Sequence, residues 1–286
     1  MNSCNQFGTI LLFIREALCR SRVPFFIVEK SVVMVYNKLL DFAGVTGDSS
    51  KSDFWRNGMR KQVVKSKGAL ITLIGMLVMT VLIVVKLFLP GSLFSGYALL
   101  VGIALFFVVE AVEKTPASQS GLRFKTFLDD LKKTQVLLWV LLPVGITIAV
   151  IVCGKLFFEE LYREYIEHVI GRTSLEMNFS NFLTWGLTST ITVLGEEIAF
   201  RGFFLGKGSK VLPKAICLLG SAVLFALAHI ATGDSVIVAF DLFEIFVDAI
   251  FYAFAFQRSG NCLISFIPHC LNNFLGLLLV RLLFLV

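Results

Sequence analysis

The chain has 286 residues, 57% of them hydrophobic and only 16% charged, with a formal net charge of +6. A soluble domain carries roughly a quarter charged residues, so the composition excludes an ordinary water-soluble globular protein and points to a chain that crosses a bilayer repeatedly. The basic residues form no single patch interleaved with aromatics, so no nucleic-acid partner is expected.

Residues 7–45 are apolar in patches but hold Arg15, Arg20, Arg22, Lys30 and Lys38. This pattern reads as one or two interfacial helices, or as an eighth, poor span. No cleavable signal peptide is expected, because charges interrupt the apolar stretch and no A-x-A site follows it. Residues 1–68 are taken as an N-terminal cytoplasmic or interfacial arm, and 69–286 as the transmembrane domain.

After residue 68, seven stretches approach the roughly 20 apolar residues that a crossing needs. They are about 69–89, 96–112, 136–154, 182–205, 212–231, 236–257 and 262–282. The expected fold class is all-α, a polytopic transmembrane helix bundle of about 7–8 spans.

Lys and Arg alternate between the connections. The segment 51–68 holds Lys51, Arg56, Arg60, Lys61, Lys65 and Lys67, and 113–135 holds Lys114, Arg123, Lys125, Lys132 and Lys133. The turn 206–211 and its flanks carry Arg201, Lys207, Lys210 and Lys214, and 258–261 carries Arg258. By contrast 90–95 and 232–235 have none, and 155–181 sets three against five glutamates. Cytoplasmic loops gather Lys and Arg. The N-terminus is therefore expected in the cytoplasm, with 113–135, 206–211 and 258–261 on the same side. The six cysteines (Cys4, Cys19, Cys153, Cys217, Cys262 and Cys270) form no CxxC pair and read as small hydrophobes.

A charge near the bilayer centre costs about 2.5–3.5 kcal/mol on insertion scales, so polar residues inside spans need explaining. The first group is Gly195-Glu-Glu-Ile-Ala-Phe-Arg-Gly202. Glu197 and Arg201 are at i, i+4 and can pair. Glu196 points about 100° away, has no local partner and projects into the bundle. An unpaired acid in apolar surroundings is the better proton acceptor.

The second group is Phe225-Ala-Leu-Ala-His229, whose histidine ends an apolar helix. The third is His269-Cys-Leu-Asn-Asn273. There His269 and Asn273 share a face and can donate hydrogen bonds to one point, as an oxyanion requires. Pro268 is expected to loosen the helix there, and Asn272 points away. The fourth is Asp241, Glu244 and Asp248, on one face at i, i+3, i+7. These acids are expected to line a wet cavity or to pair with Arg258 or Arg281. His168 reads as a solvated loop residue.

An acid, two histidines and an asparagine on three spans around one intramembrane cavity suit hydrolysis of an amide by activated water. Glu196 takes the proton, His229 orients the water, and His269 and Asn273 hold the oxyanion. EEIAFR, FALAH and HCLNN also resemble the EExxxR, FxxxH and HxxxN motifs of the CAAX protease and bacteriocin-processing family, in that order. The resemblance covers about 180–280. It implies an intramembrane endopeptidase of the type II CAAX prenyl protease kind, acting near the C-terminus of membrane-associated or lipidated peptides. It also implies Glu196, His229, His269 and Asn273 as catalytic residues, with Glu197 and Arg201 in support. The site is expected to open toward the cytoplasm.

No cofactor is expected. The zinc alternative uses Glu196, His229 and His269 as ligands, without an HExxH motif. The non-enzyme alternative is an immunity, scaffolding or transporter-like membrane protein. Depth provides a check. With a turn at Gly208, Glu196 and His229 differ by about 13 Å in height at 1.5 Å per residue, whereas a turn near Pro213 levels them. The Glu196 helix is thus expected to run past Lys207, or one helix to tilt.

Overall fold

The computed structural model describes residues 67–89, 93–132, 134–173 and 179–284. The expected N-terminal arm, but for Lys67 and Gly68, lies outside the described residues. All elements among those described are helical. They are α1 (Lys67–Phe88), α2 (Phe94–Val112), the short α3 (Phe127–Leu131), α4 (Thr134–Phe157), α5 (Glu159–Thr173) and α6 (Phe179–Glu196). α6 continues without a break as a π-helix, Glu197–Lys207, and a 3-10 turn, Gly208–Lys210. Then come α7 (Lys214–Ala228), α8 (Ser235–Ser259) and α9 (Cys262–Phe284).

Four helices are long and apolar enough to cross a membrane among the described residues: Lys67–Phe88, Phe94–Val112, Val136–Phe157 and Cys262–Phe284. α7 is apolar but short. Large apolar side chains such as Leu77, Leu100, Leu141 and Leu282 face outward, as a helix in lipid allows because all its backbone bonds are internal.

The π-helical segment is the centre of the bundle. It touches α1, α2, α7, α8 and α9, and Ala199, Phe203 and Leu205 are buried in the main apolar core. Close approach depends on small residues, as at membrane helix interfaces generally. A Cβ on Gly102 of α2 would stand 2.6 Å from that of Ala199. Asp234 caps α8 by accepting from Val236 and Ile237 N–H, the usual role of Asp at an N-cap. Gly260 ends α8 at φ +67°, a left-handed conformation natural to glycine. Pro268 leaves α9 unbroken from Cys262 to Phe284, against the expected loosening.

One expected connection is a helix. Within 155–181, Tyr162, Tyr165, Ile166 and Val169 form an i, i+3, i+4, i+7 stripe, and α5 folds on it. Tyr162 and Ile166 are buried against Ile151 and Phe284, while Glu159, Glu160, Glu164 and Glu167 are exposed.

The three basic connections gather at one end of the bundle. Lys207 reaches Glu110 at 2.8 Å, and Lys210 reaches Glu113 at 2.8 Å. Arg123 donates to the carbonyls of Ser259 and Gly260 at 2.7 and 2.8 Å. In Glu113, just past the end of α2, burial raises the carboxyl's proton affinity, but Lys210 and Lys207 outweigh it and hold it below the ordinary carboxylate range.

Candidate active site

Glu196 closes α6, near the middle of the continuous helical run 179–210. Because that run passes Lys207 and turns only at 211–213, Glu196 and His229 are level. Glu196 Oε1 lies 3.9 Å from His229 Nε2. Glu196 Oε2 lies 3.6 Å from His269 Nε2. Glu196 has no partner on its own helix, as expected, but two histidines from other helices flank it.

His229 follows the last residue of α7, and its Nδ1 is 2.8 Å from the Phe225 carbonyl. A carbonyl only accepts, so Nδ1 carries the hydrogen and Nε2 of the neutral ring presents a lone pair toward Glu196. Lys86 of α1 donates to the Ala228 carbonyl and holds the backbone just before His229.

His269 spans both acids. Its Nδ1 is 2.9 Å from Glu197 Oε1, and its ring stacks on Tyr252 at 4.7 Å between centroids. Glu197 also pairs with Arg201 at 3.2 Å, and both are fully buried. The Arg201 guanidinium lies 4.4 Å over the Phe225 ring and donates to the Ala249 carbonyl. The expected i, i+4 pair is present, and it has a third member in His269.

Glu196, His229, His269, Asn272 and Asn273 line one cavity of about 620 Å³. Its wall is largely apolar, with Phe225, Phe240, Val193 and Leu277 among the residues. Asn272, set aside in the sequence reading, is buried there. Its amide donates to Asp248 at 3.0 Å and to the Tyr252 hydroxyl at 2.9 Å. Its donors are therefore used, and Asn273 is the neighbour left facing the cavity.

Residues 178–275 match the family model described as type II CAAX prenyl endopeptidase Rce1-like. That segment is therefore similar to the CAAX protease family. No curated protein and no solved structure matches the chain. The matched segment holds Glu196, Glu197, Arg201, His229, His269 and Asn273, and leaves α1–α5 outside. Within this segment, the three motifs lie on the π-helical run and the residue before it, the end of α7 and α9, and all three meet at the cavity.

The acids of α8 line the same cavity, as expected, but with other partners. Asp241 pairs with Arg172 of α5 at 3.1 Å, not with Arg258 or Arg281. Tyr165 donates to Glu244. The Tyr252 hydroxyl donates to Asp248 at 3.1 Å. His168 is no solvated loop residue. Its side chain is 8% exposed, with Nε2 3.5 Å from Asp241 Oδ2, because α5 packs that face against α8. Among the described residues no group of three or more His, Cys, Asp or Glu is spaced to hold a metal ion.

This cavity occupies one half of the bundle. It is lined by the second half of α4, by α9 from His269 to Val280 and by α5 up to Arg172. This is the half away from the three basic connections.

Proposed function

We propose that the protein is an intramembrane endopeptidase that hydrolyses a peptide bond near the C-terminus of membrane-associated or lipidated, CAAX-like substrates. The observation that carries this reading is the facing pair of acceptors, Glu196 Oε1 and His229 Nε2, 3.9 Å apart in a mostly apolar cavity. A gap beyond 3.5 Å between such groups suits a bridging water. One water can donate to both, which aims its remaining lone pair at a carbonyl carbon. Glu196 accepts the proton as the bond forms and returns it to the leaving amine.

The oxyanion falls to His269 and Asn273. That role requires a proton on His269 Nε2, because Nδ1 is committed to Glu197. Arg201 compensates the charge of Glu197 in turn.

The reading needs no metal. Zinc held by Glu196, His229 and His269 would turn His269 Nε2 from an oxyanion donor into a ligand, and no further His, Cys, Asp or Glu completes the set among the described residues. A transporter-like use of the α8 acids is disfavoured, since Asp241, Glu244 and Asp248 are each tied to a wall residue.

Seven spans fit the helices after residue 67, once the continuous run 179–210 and the 25-residue α8 are counted beside the shorter α7 and the four apolar helices. The charge count then puts the N-terminus in the cytoplasm and the cavity in the opposite half of the membrane.

The test is cleavage of a panel of lipidated and plain peptides by purified protein in detergent. Wild type cleaves at least one of them with chelator present, while Glu196→Ala and His229→Ala do not. Undiminished cleavage by both variants would sink the assignment. Loss in chelator with recovery on adding zinc would favour the metal reading.

A further inference from the structure

Arg172 is the only Lys or Arg lining the catalytic cavity among the described residues. It lies in the last turn of α5, outside the family-matched segment. It also lines a second cavity of about 530 Å³, bounded by α5 and residues 231–234. The two spaces meet at this side chain.

Its orientation is set on one edge. Nη2 donates to Asp241 Oδ1 at 3.2 Å, and Nε lies 3.1 Å from Asp241 Oδ2. A guanidinium has five donors in a planar fork, so Asp241 holds the Nε/Nη2 edge and leaves Nη1 uncommitted. The side chain is 17% exposed, enough to be met from the cavity. The other two acids of α8 do not compete for it. Glu244 has the Tyr165 hydroxyl, and Asp248 has Tyr252 and Asn272. They do repel an anion placed anywhere else, so an anionic ligand has one favourable position.

We infer that Arg172, oriented by Asp241, receives the free C-terminal carboxylate of the peptide substrate. This rests on the endopeptidase reading above and names how that site selects its substrate. A peptide with its scissile carbonyl at Glu196 and His229 sends its C-terminal residues toward α5. Its carboxylate meets the open edge of Arg172 there, and the released fragment leaves through the second cavity. Arginine–carboxylate pairs are among the stronger hydrogen-bonded contacts, roughly 1.5–3 kcal/mol when charged.

The experiment compares one peptide sequence as free acid and as C-terminal amide. Wild type is expected to cleave the acid with a kcat/KM about 10- to 100-fold above the amide. Arg172→Gln is expected to bring that ratio near one by slowing the acid alone. A merely structural loss would slow both and keep the ratio. If Arg172→Gln does not fold, Arg172→Gln with Asp241→Asn removes the stranded buried acid and is read the same way. Wild type cleaving acid and amide equally, or a variant keeping the wild-type ratio, overturns the inference while the endopeptidase reading stands. Wild type cleaving neither overturns both.

Discussion

Nε2 of His229 stands 3.9 Å from Oε1 of Glu196, with the histidine's other nitrogen bound to the Phe225 carbonyl. That bond selects the tautomer. Rotating the ring or moving its proton would cost the hydrogen bond to the Phe225 carbonyl that positions it. Both groups thus face the cavity as acceptors, held from different helices.

If Glu196 takes the proton from water, Glu196→Gln keeps its size and removes its basicity. The expected loss in kcat is about 10²–10⁴-fold, the usual contribution of general-base catalysis, with KM little changed. Steady-state kinetics on the best peptide of the panel measures this. A loss confined to KM would instead make Glu196 a binding residue.

The Glu197–Arg201 pair is buried at 0–1% side-chain exposure. Arg201→Met strands Glu197 and is expected to cost about 3–5 kcal/mol of stability. Adding Glu197→Gln should restore part of it. Unfolding in detergent reads both variants. A double variant no more stable than Arg201→Met alone would show that the pair is not the source of the cost.

Ser118 lies in the basic connection 113–132, and Thr232 lies in the connection between α7 and α8; both are exposed. In a cysteine-free background, Ser118→Cys is expected to react with an impermeant thiol reagent only from the cytoplasmic face. Thr232→Cys is expected to react only from the other face. The reverse pattern would turn the molecule over and open the cavity to the cytoplasm.

Glu113 is held below the ordinary carboxylate range, since Lys210 and Lys207 outweigh the effect of burial. A depressed folded-state value stabilises the fold above the unfolded carboxylate range. That stability is lost as pH falls through the lowered value. Lys210→Ala should therefore start acid unfolding at slightly higher pH, with little change at neutral pH. Lys210 is about half exposed, so the effect is expected to stay under about 1 kcal/mol. An acid-unfolding curve superimposable on wild type would remove Glu113 from the account.

Much of the site was readable from spacing alone. Glu197 and Arg201 pair because helix geometry puts i, i+4 on one face, and this survives in the π-helical stretch. Glu196 was marked out by having no such neighbour. Its depth relative to His229 could also be posed as a question of where the turn falls, and the turn at 211–213 answers it. Asn272 was set aside by direction alone, because a helical wheel does not say what stands there. Tyr252 and Asp248 of α8 meet it across the bundle. α5 was missed because its glutamates mask the stripe through Tyr162 and Ile166, although the i, i+3, i+4, i+7 spacing was present.

By itself the sequence determined the helical class, the membrane setting and the candidate residues for the proposed chemistry. Apolar runs have nowhere else to go, and charges inside them must be compensated. Only the tertiary structure decided the partners. His269 joins both glutamates, His168 and Arg172 converge on Asp241, and the cavity lies in the half of the bundle away from the basic loops. Those relations depend on which helix faces cross at which height, and pairings between distant segments leave no local period in the chain.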